Sequence, residues 1–201
     1  TEGYTGEGVV YISQHEQAII TDFRYTEQAE QQSTGFDVHM TDKTITHEEW
    51  VAKLMHEGSV GTAFYEDDFL TVAAFEKLKN AVGKDVIWQP LHQVPEKLRE
   101  IKTDKEADAI RKACQIASDA YEKLLGDIHA GMTEKQIAIR LEFLMLELGA
   151  QGTSFDTIVA TGAHGSLPHA IPGDTVVQKG DMITMDFGCR VNGYDSDMTR
   201  T

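Results

Sequence analysis

Basic residues are scarce in this chain. Lys and Arg number 18 against 33 Asp and Glu over 201 residues, a formal net charge of −15. Binding to nucleic acid needs a basic face that neutralises phosphates, so no nucleic-acid partner is expected. Docking on an anionic membrane surface is disfavoured for the same reason. Cysteine is nearly absent. Cys114 and Cys189 supply neither a disulfide framework nor a Cys-based zinc motif, and a reducing cytoplasm is the expected compartment. No apolar run approaches the roughly 18 residues of a membrane span, and no basic-then-apolar signal opens the chain. What remains is ordinary for a folded protein: 41 % hydrophobic and 25 % charged residues, in a length that admits one or two domains. The acid excess is uneven, with 18 acids and 8 bases in residues 1–100 but 15 and 10 in residues 101–201.

The first hundred residues alternate between strand and helix patterns. Gly8–Ser13 and Gln17–Phe23 read as a hairpin, Tyr25–Gln32 as a helix and Phe36–Met40 as a strand. Thr46-His47-Glu48-Glu49 is a capping box ahead of Trp50, Val51, Leu54 and Met55 at helical spacing. Val60–Tyr65 and Val86–Gln89 are strand candidates around a helix at Thr71–Val82, whose apolar face is Val72, Phe75, Leu78 and Val82. The alternation predicts an α/β layer with a partly parallel sheet. Pro90 and Pro95 interrupt the pattern, and a domain boundary is expected near residues 90–102, giving domains 1–95 and 96–201, with a short helix at Glu96–Ile101. Two further capping boxes, Thr103–Glu106 and Thr133–Gln136, open helices at about Asp104–Leu125 and up to Leu148. After Gly152 the texture turns to strands at Phe155–Ala160, Thr175–Val177, Met182–Gly188 and Tyr194–Thr199, so the second half is expected to be α+β.

The most informative stretch is Met182–Thr201, MITMDFGCRVNGYDSDMTRT. Asn192-Gly193 between two apolar-alternating runs is a strong hairpin signal, because both turn residues must tolerate positive φ. A two-residue loop places Val191 opposite Tyr194, Asp186 opposite Thr199 and Gly188 opposite Asp197. Asp186 and Asp197 are then diagonal neighbours, roughly 7–8 Å apart. On this reading Gly188 leaves space for an ion, Asp195 points to the other face, and no basic residue shares the face of the two carboxylates. Such a pair repels unless a proton or a cation intervenes. Paired carboxylates suit manganese or magnesium, or zinc and cobalt in a mixed site. The plain alternative is a solvent-facing hairpin. A second feature, Thr153–Ala170, joins a strand, a glycine-rich turn and Pro168-His169, and could present His169 as a proton carrier. The plain alternative there is a surface loop holding two histidines, His164 and His169.

Taken together these segments resemble the creatinase/prolidase/Xaa-Pro aminopeptidase family of "pita-bread" metallopeptidases. GYTGEGVVYISQHEQAIITDFRYTEQAEQQ resembles part of the family's amino-terminal domain. LREIKTDKEADAIRKACQIASDAYEKLL resembles the entry to its catalytic domain, and SFDTIVATG, PHA and MDFG…GYDSDMTRT follow in family order. The resemblance implies that Asp186 binds one of two metal ions and that Asp197 bridges both. It implies that His169 contacts substrate and helps stabilise the transition state. Phe155 falls where members place a pocket aromatic, and Thr199 and Arg200 where residues orient the ligands. Two divalent ions, manganese first and cobalt or zinc as alternatives, would supply a hydroxide that cleaves the Xaa-Pro bond of a peptide whose second residue is proline. The intact protein is expected to form a homodimer.

The same resemblance calls for a histidine and two glutamates as further ligands, which this sequence does not contain after Thr201. The chain is therefore expected to be an internal part of a longer protein, made of a creatinase-type amino-terminal domain and the first half of a pita-bread domain, and inactive alone. Other peptidases of the same fold, methionine aminopeptidases among them, and a non-catalytic binding module are the competing readings. The domain at residues 1–95 argues against the first, and the retained Asp186, Asp197 and His169 against the second.

Overall fold

A computed structural model describes residues 6–201. They form two compact units that divide between Ile101 and Lys102.

The first unit is built of β1 (Val9–Ile12), β2 (Gln17–Asp22), α1 (Thr26–Gln32), β3 (Asp37–Thr41), α2 (His47–Glu57), β4 (Thr62–Tyr65), α3 (Val72–Val82), β5 (Ile87–Pro90) and α4 (Val94–Glu100). β1 and β2 form the expected antiparallel hairpin, and β2 then pairs with β3 in parallel across the α1 crossover. β4 and β5 pair in parallel across α3. The mixed pairing is thus present, but divided between a three-stranded and a two-stranded sheet. The Thr46 capping box is formed, and α2 buries Val51, Ala52, Leu54 and Met55 against Ala18 and Ile20 of β2. The apolar face read for α3 is covered only in part. Val72 is 80 % exposed, whereas Phe75 stacks on Tyr65 with ring centroids 3.9 Å apart and Val82 is buried.

The second unit opens with α5 (Asp104–Leu125) and α6 (Glu134–Glu147), each started by the capping box read from the sequence. Strands follow: β6 (Gly152–Thr153), β7 (Ile158–Thr161), then after a 3-10 turn at Gly162–Ser166, β8 (Ile183–Phe187), β9 (Cys189–Val191), β10 (Tyr194–Asp195) and β11 (Met198–Arg200). The buried stripe of α5 is mostly alanine, namely Ala109, Ala113, Ala117 and Ala120 with Ile116 and Leu124. Small side chains let the helix lie close on the sheet: the Cys189 thiol reaches the Ala113 carbonyl at 3.3 Å, and Tyr121 stacks on Phe187. The expected strand at Thr175–Val177 does not form. That segment instead runs beside the start of α6, where Glu134 N–H donates to the Thr175 carbonyl and Lys135 N–H to the Gly173 carbonyl. First-turn helix N–H groups lack intrahelical partners, and this segment supplies them.

The start of α5 is also tied to the hairpin. The Tyr194 hydroxyl donates to the Glu106 carboxylate, which already accepts from the backbone N–H and hydroxyl of Thr103. The Tyr194 hydrogen bond, followed by those from Thr103, holds the Glu106 carboxyl down to about 2. A group whose folded pKa lies below its unfolded value stabilises the fold above the unfolded value, and the stabilisation is lost as pH falls through the folded one. Tyr194→Phe should therefore lower the urea midpoint at pH 7, and the gap from the unchanged protein should narrow as the pH falls from about 4.5 towards 2. A gap that stays constant over that range would refute the account.

Candidate functional site

The Asn192-Gly193 turn forms as expected, with φ of 51° and 77°. It sets the predicted register: Val191 faces Tyr194, and farther along Phe187 faces Met198 and Asp186 faces Thr199. The buried side of the hairpin carries Met185, Phe187, Cys189 and Val191. The opposite side carries Asp186 and Arg190 with their partners Thr199 and Asp195, with Gly188 between them, because side chains alternate along a strand.

Three expectations about this face are overturned. Asp195 is not on the other side: it lies directly opposite Arg190, and the two form an ion pair at 2.8 Å. Arg190 is accordingly a basic residue on the carboxylate face, since two residues of one strand that are two or four apart share a side. Nor does Gly188 leave room for an ion. A Cβ built at Gly188 would lie 1.9 Å from the Ser196 carbonyl oxygen and 2.3 Å from Ser154 Oγ. The Ser196 carbonyl accepts a hydrogen bond from that serine hydroxyl at 2.6 Å, while the Ser196 side chain turns inward to accept from Cys189 N–H. Backbone fills the space, and the ladder is interrupted there, so that the hairpin splits into two halves.

Each half gains a third strand. Thr153 pairs with Cys189, and Ile158 pairs with Asp186. Four residues, 154–157, therefore face two, Phe187 and Gly188, and the intervening chain bulges. Bulges re-aim side chains beside active sites. Phe155 sits in this bulge, half-buried, rather than at the head of a strand as expected.

Asp186 is half-buried and accepts from the Thr199 hydroxyl at 2.9 Å. Asp197 is exposed at the interruption between β10 and β11. Arg200 is exposed, and its guanidinium donates to the Thr199 carbonyl at 2.8 Å. His169 is exposed on the loop between the 3-10 turn and β8. Among the described residues no group of three or more His, Cys, Asp or Glu side chains is placed to hold a metal ion. Two carboxylates are oxygen donors of the kind that hold hard divalent ions, so the residues present fit part of such a site.

Sequence reasoning saw Glu134 only as a helix-start residue. It is fully buried, and its Oε1 accepts from Thr161 N–H at 2.8 Å and lies 2.7 Å from His164 Nδ1, while Oε2 accepts from Gly173 N–H at 3.1 Å. Burial pushes its pKa up, but the hydrogen bonds from Thr161, His164 and Gly173 outweigh that and hold the carboxyl below its ordinary value. A carboxylate can only accept, so His164 carries its proton on Nδ1. No local pattern announces this arrangement, because its three donors lie 27 to 39 residues from Glu134.

The sequence pattern of the Creatinase/Prolidase N-terminal domain matches residues 2–101, and that of Metallopeptidase family M24 matches residues 108–201. The chain joins a creatinase/prolidase-type amino-terminal domain to sequence of the M24 metallopeptidase family. It is 37 % identical over 200 residues to the uncharacterized peptidase YqhT of Bacillus subtilis, covering 99 % of this chain and 56 % of that protein. It is 39 % identical over 114 residues to the Xaa-Pro dipeptidase of Pyrococcus furiosus, covering 57 % of this chain and 33 % of that one. Among solved structures, the Xaa-Pro dipeptidase from Bacillus anthracis superposes with a TM-score of 0.91 at 39 % identity, over 99 % of this chain and 55 % of the other. The X-Pro aminopeptidase from Thermotoga maritima gives 0.91 at 35 % identity, over 99 % and 56 %. The chain thus spans about half the length of these relatives or less. No helix among the described residues is long and apolar enough to cross a membrane.

Proposed function

We propose that the protein to which this chain contributes hydrolyses the Xaa-Pro bond at the amino terminus of peptides or dipeptides, using divalent metal ions. The observation that carries the reading is Asp186 on β8, directly opposite Thr199, whose hydroxyl donates to Oδ1, with Asp197 just ahead of the β11 strand that supplies Thr199. The likeness to Xaa-Pro dipeptidases and an X-Pro aminopeptidase supports it.

Asp186 and Asp197 would hold the ions, manganese first and cobalt or zinc as alternatives. Bound divalent ions supply an acidified water and polarise the scissile carbonyl. Thr199, by donating to Oδ1, leaves the second Asp186 oxygen directed away from that hydrogen bond. Arg200 braces the Thr199 carbonyl. His169, on its exposed loop, would hydrogen-bond the substrate and stabilise charge developing on it. Phe155, lifted by the bulge, would offer an apolar wall to the substrate. The compartment is read as a reducing cytoplasm from the scarcity of cysteine. The intact protein is read as a homodimer.

The test is a hydrolysis assay of the full-length protein on an Xaa-Pro dipeptide, an Xaa-Pro tripeptide and a Met-Ala peptide. The Xaa-Pro substrates should be cleaved with release of the first residue, a chelator should abolish turnover, and added manganese should restore it. Cleavage of Met-Ala alone, or turnover indifferent to chelation, would sink the proposal. The 201-residue chain by itself, with two carboxylates at the site, should bind such ions weakly and show no measurable hydrolysis.

A further inference from the structure

The loop that carries His169 leaves β7 at Thr161 and returns beside the start of α6 at Gly173. One buried carboxylate holds both limbs. Glu134 accepts from Thr161 N–H at the exit, from His164 in the 3-10 turn, and from Gly173 N–H at the return. Its own N–H holds the Thr175 carbonyl, and the next N–H along α6 holds that of Gly173. A carboxylate with no exposed surface and donors converging from three separate places is an expensive arrangement unless all are made. Between the clamped points, residues 165–172 are exposed or half-buried apart from Ala170.

We propose that Glu134 is a positioning residue: it clamps the base of the 162–172 loop so that His169 is held where the substrate is processed. The catalytic half of this inference rests on the function proposed above; the clamp does not. A misplacement of about 1 Å in a reacting or contacting group can cost about a hundredfold in rate, so the effect of losing the clamp should appear in kcat.

Glu134→Gln keeps the shape but converts one acceptor into a donor. Whichever way the amide turns, an N–H then faces Gly173 N–H or Thr161 N–H. In the full-length protein, Glu134→Gln should lower kcat for an Xaa-Pro dipeptide by about 10- to 100-fold. Combined with His169→Ala it should cost little more than His169→Ala alone, because two residues acting through one contact are not additive. His164→Ala removes a single donor and should give a smaller loss of the same non-additive kind; it carries the cycle if Glu134→Gln fails to fold. Amide hydrogen exchange is read in parallel. Exchange at Gly173 and in the 162–172 loop should rise by about tenfold in either variant, while the amides of β8 and those of β7 ahead of Thr161 stay protected. Unchanged loop exchange, or losses that simply add to those of His169→Ala, would overturn the inference. An unchanged protein that cleaves no Xaa-Pro peptide would instead overturn the function reading, and the exchange measurement would still decide the clamp.

Discussion

Gly188→Ala should be among the most damaging single-methyl changes in this chain. The added carbon would meet the Ser196 carbonyl oxygen at 1.9 Å and Ser154 Oγ at 2.3 Å. Real Cβ atoms do not approach backbone so closely, and the nearest atom cannot swing aside as a flexible side chain would. Either the β9–β10 hairpin shifts, or the Ser154 to Ser196 hydrogen bond at 2.6 Å is lost. Overpacking of this kind costs about 1–3 kcal/mol and sometimes more. A buried hydrogen bond broken with one partner left unpaired adds about 1–3 kcal/mol. The objection is space rather than dihedral strain, since Gly188 is not among the glycines with positive φ. Gly152→Ala is the control. Gly152 pairs with Arg190 in the neighbouring strand, and its added Cβ would meet nothing within 4 Å. It should be neutral or slightly stabilising. Urea midpoints of the two variants should therefore fall on opposite sides of a gap of a few kcal/mol. Equal midpoints would show that the strands yield more easily than their contacts imply.

Asp197→Asn in the full-length protein should cut Xaa-Pro hydrolysis by about a thousandfold, and Asp186→Asn similarly. An amide keeps the shape and removes the charge that would hold a divalent ion. A bound ion contributes several kcal/mol to stabilising the transition state, at about 1.4 kcal/mol per tenfold in rate. Calorimetric titration with manganese should show the loss directly, as weaker or fewer bound ions. Asp195→Asn separates charge at the site from charge near it. That residue is committed to Arg190 in an exposed ion pair, which is worth at most about 1 kcal/mol. It should leave turnover within a few-fold of the unchanged protein. If Asp197→Asn keeps activity within tenfold, the carboxylate pair does not carry the chemistry.

The elements legible in the sequence share a property: their causes are local. Thr46, Thr103 and Thr133 each stand three residues before the Glu or Gln that completes a capping box, and each box formed. The alanine-rich stripe of α5 lies at helical spacing in the sequence and is buried. Asn192-Gly193 could satisfy a turn with two positive φ angles, so it set the register as far as Arg200 opposite Met185. In each case the decisive contacts lie within a few residues of one another along the chain. The failures have the opposite character. Thr175–Val177 looks like a strand, yet it is taken up by the turn that leads into α6: Glu134 N–H claims the Thr175 carbonyl and Gly131 N–H that of Val177. Val72 keeps helical spacing but stands exposed.

The sequence by itself therefore determined the helices, the hairpin and its register, and with that register the placing of Asp186 opposite Thr199 and of Arg190 opposite Asp195. Spacing along one chain suffices for those, because the partners are neighbours in a single ribbon. Only the tertiary structure decided that Gly188 is closed over by Ser196 and Ser154 rather than open to an ion. It also gathered Thr161, His164 and Gly173 around Glu134. Those outcomes depend on segments from 8 to 42 residues apart meeting in space, and whether a buried carboxylate or a missing side chain can be tolerated is settled by what else arrives there.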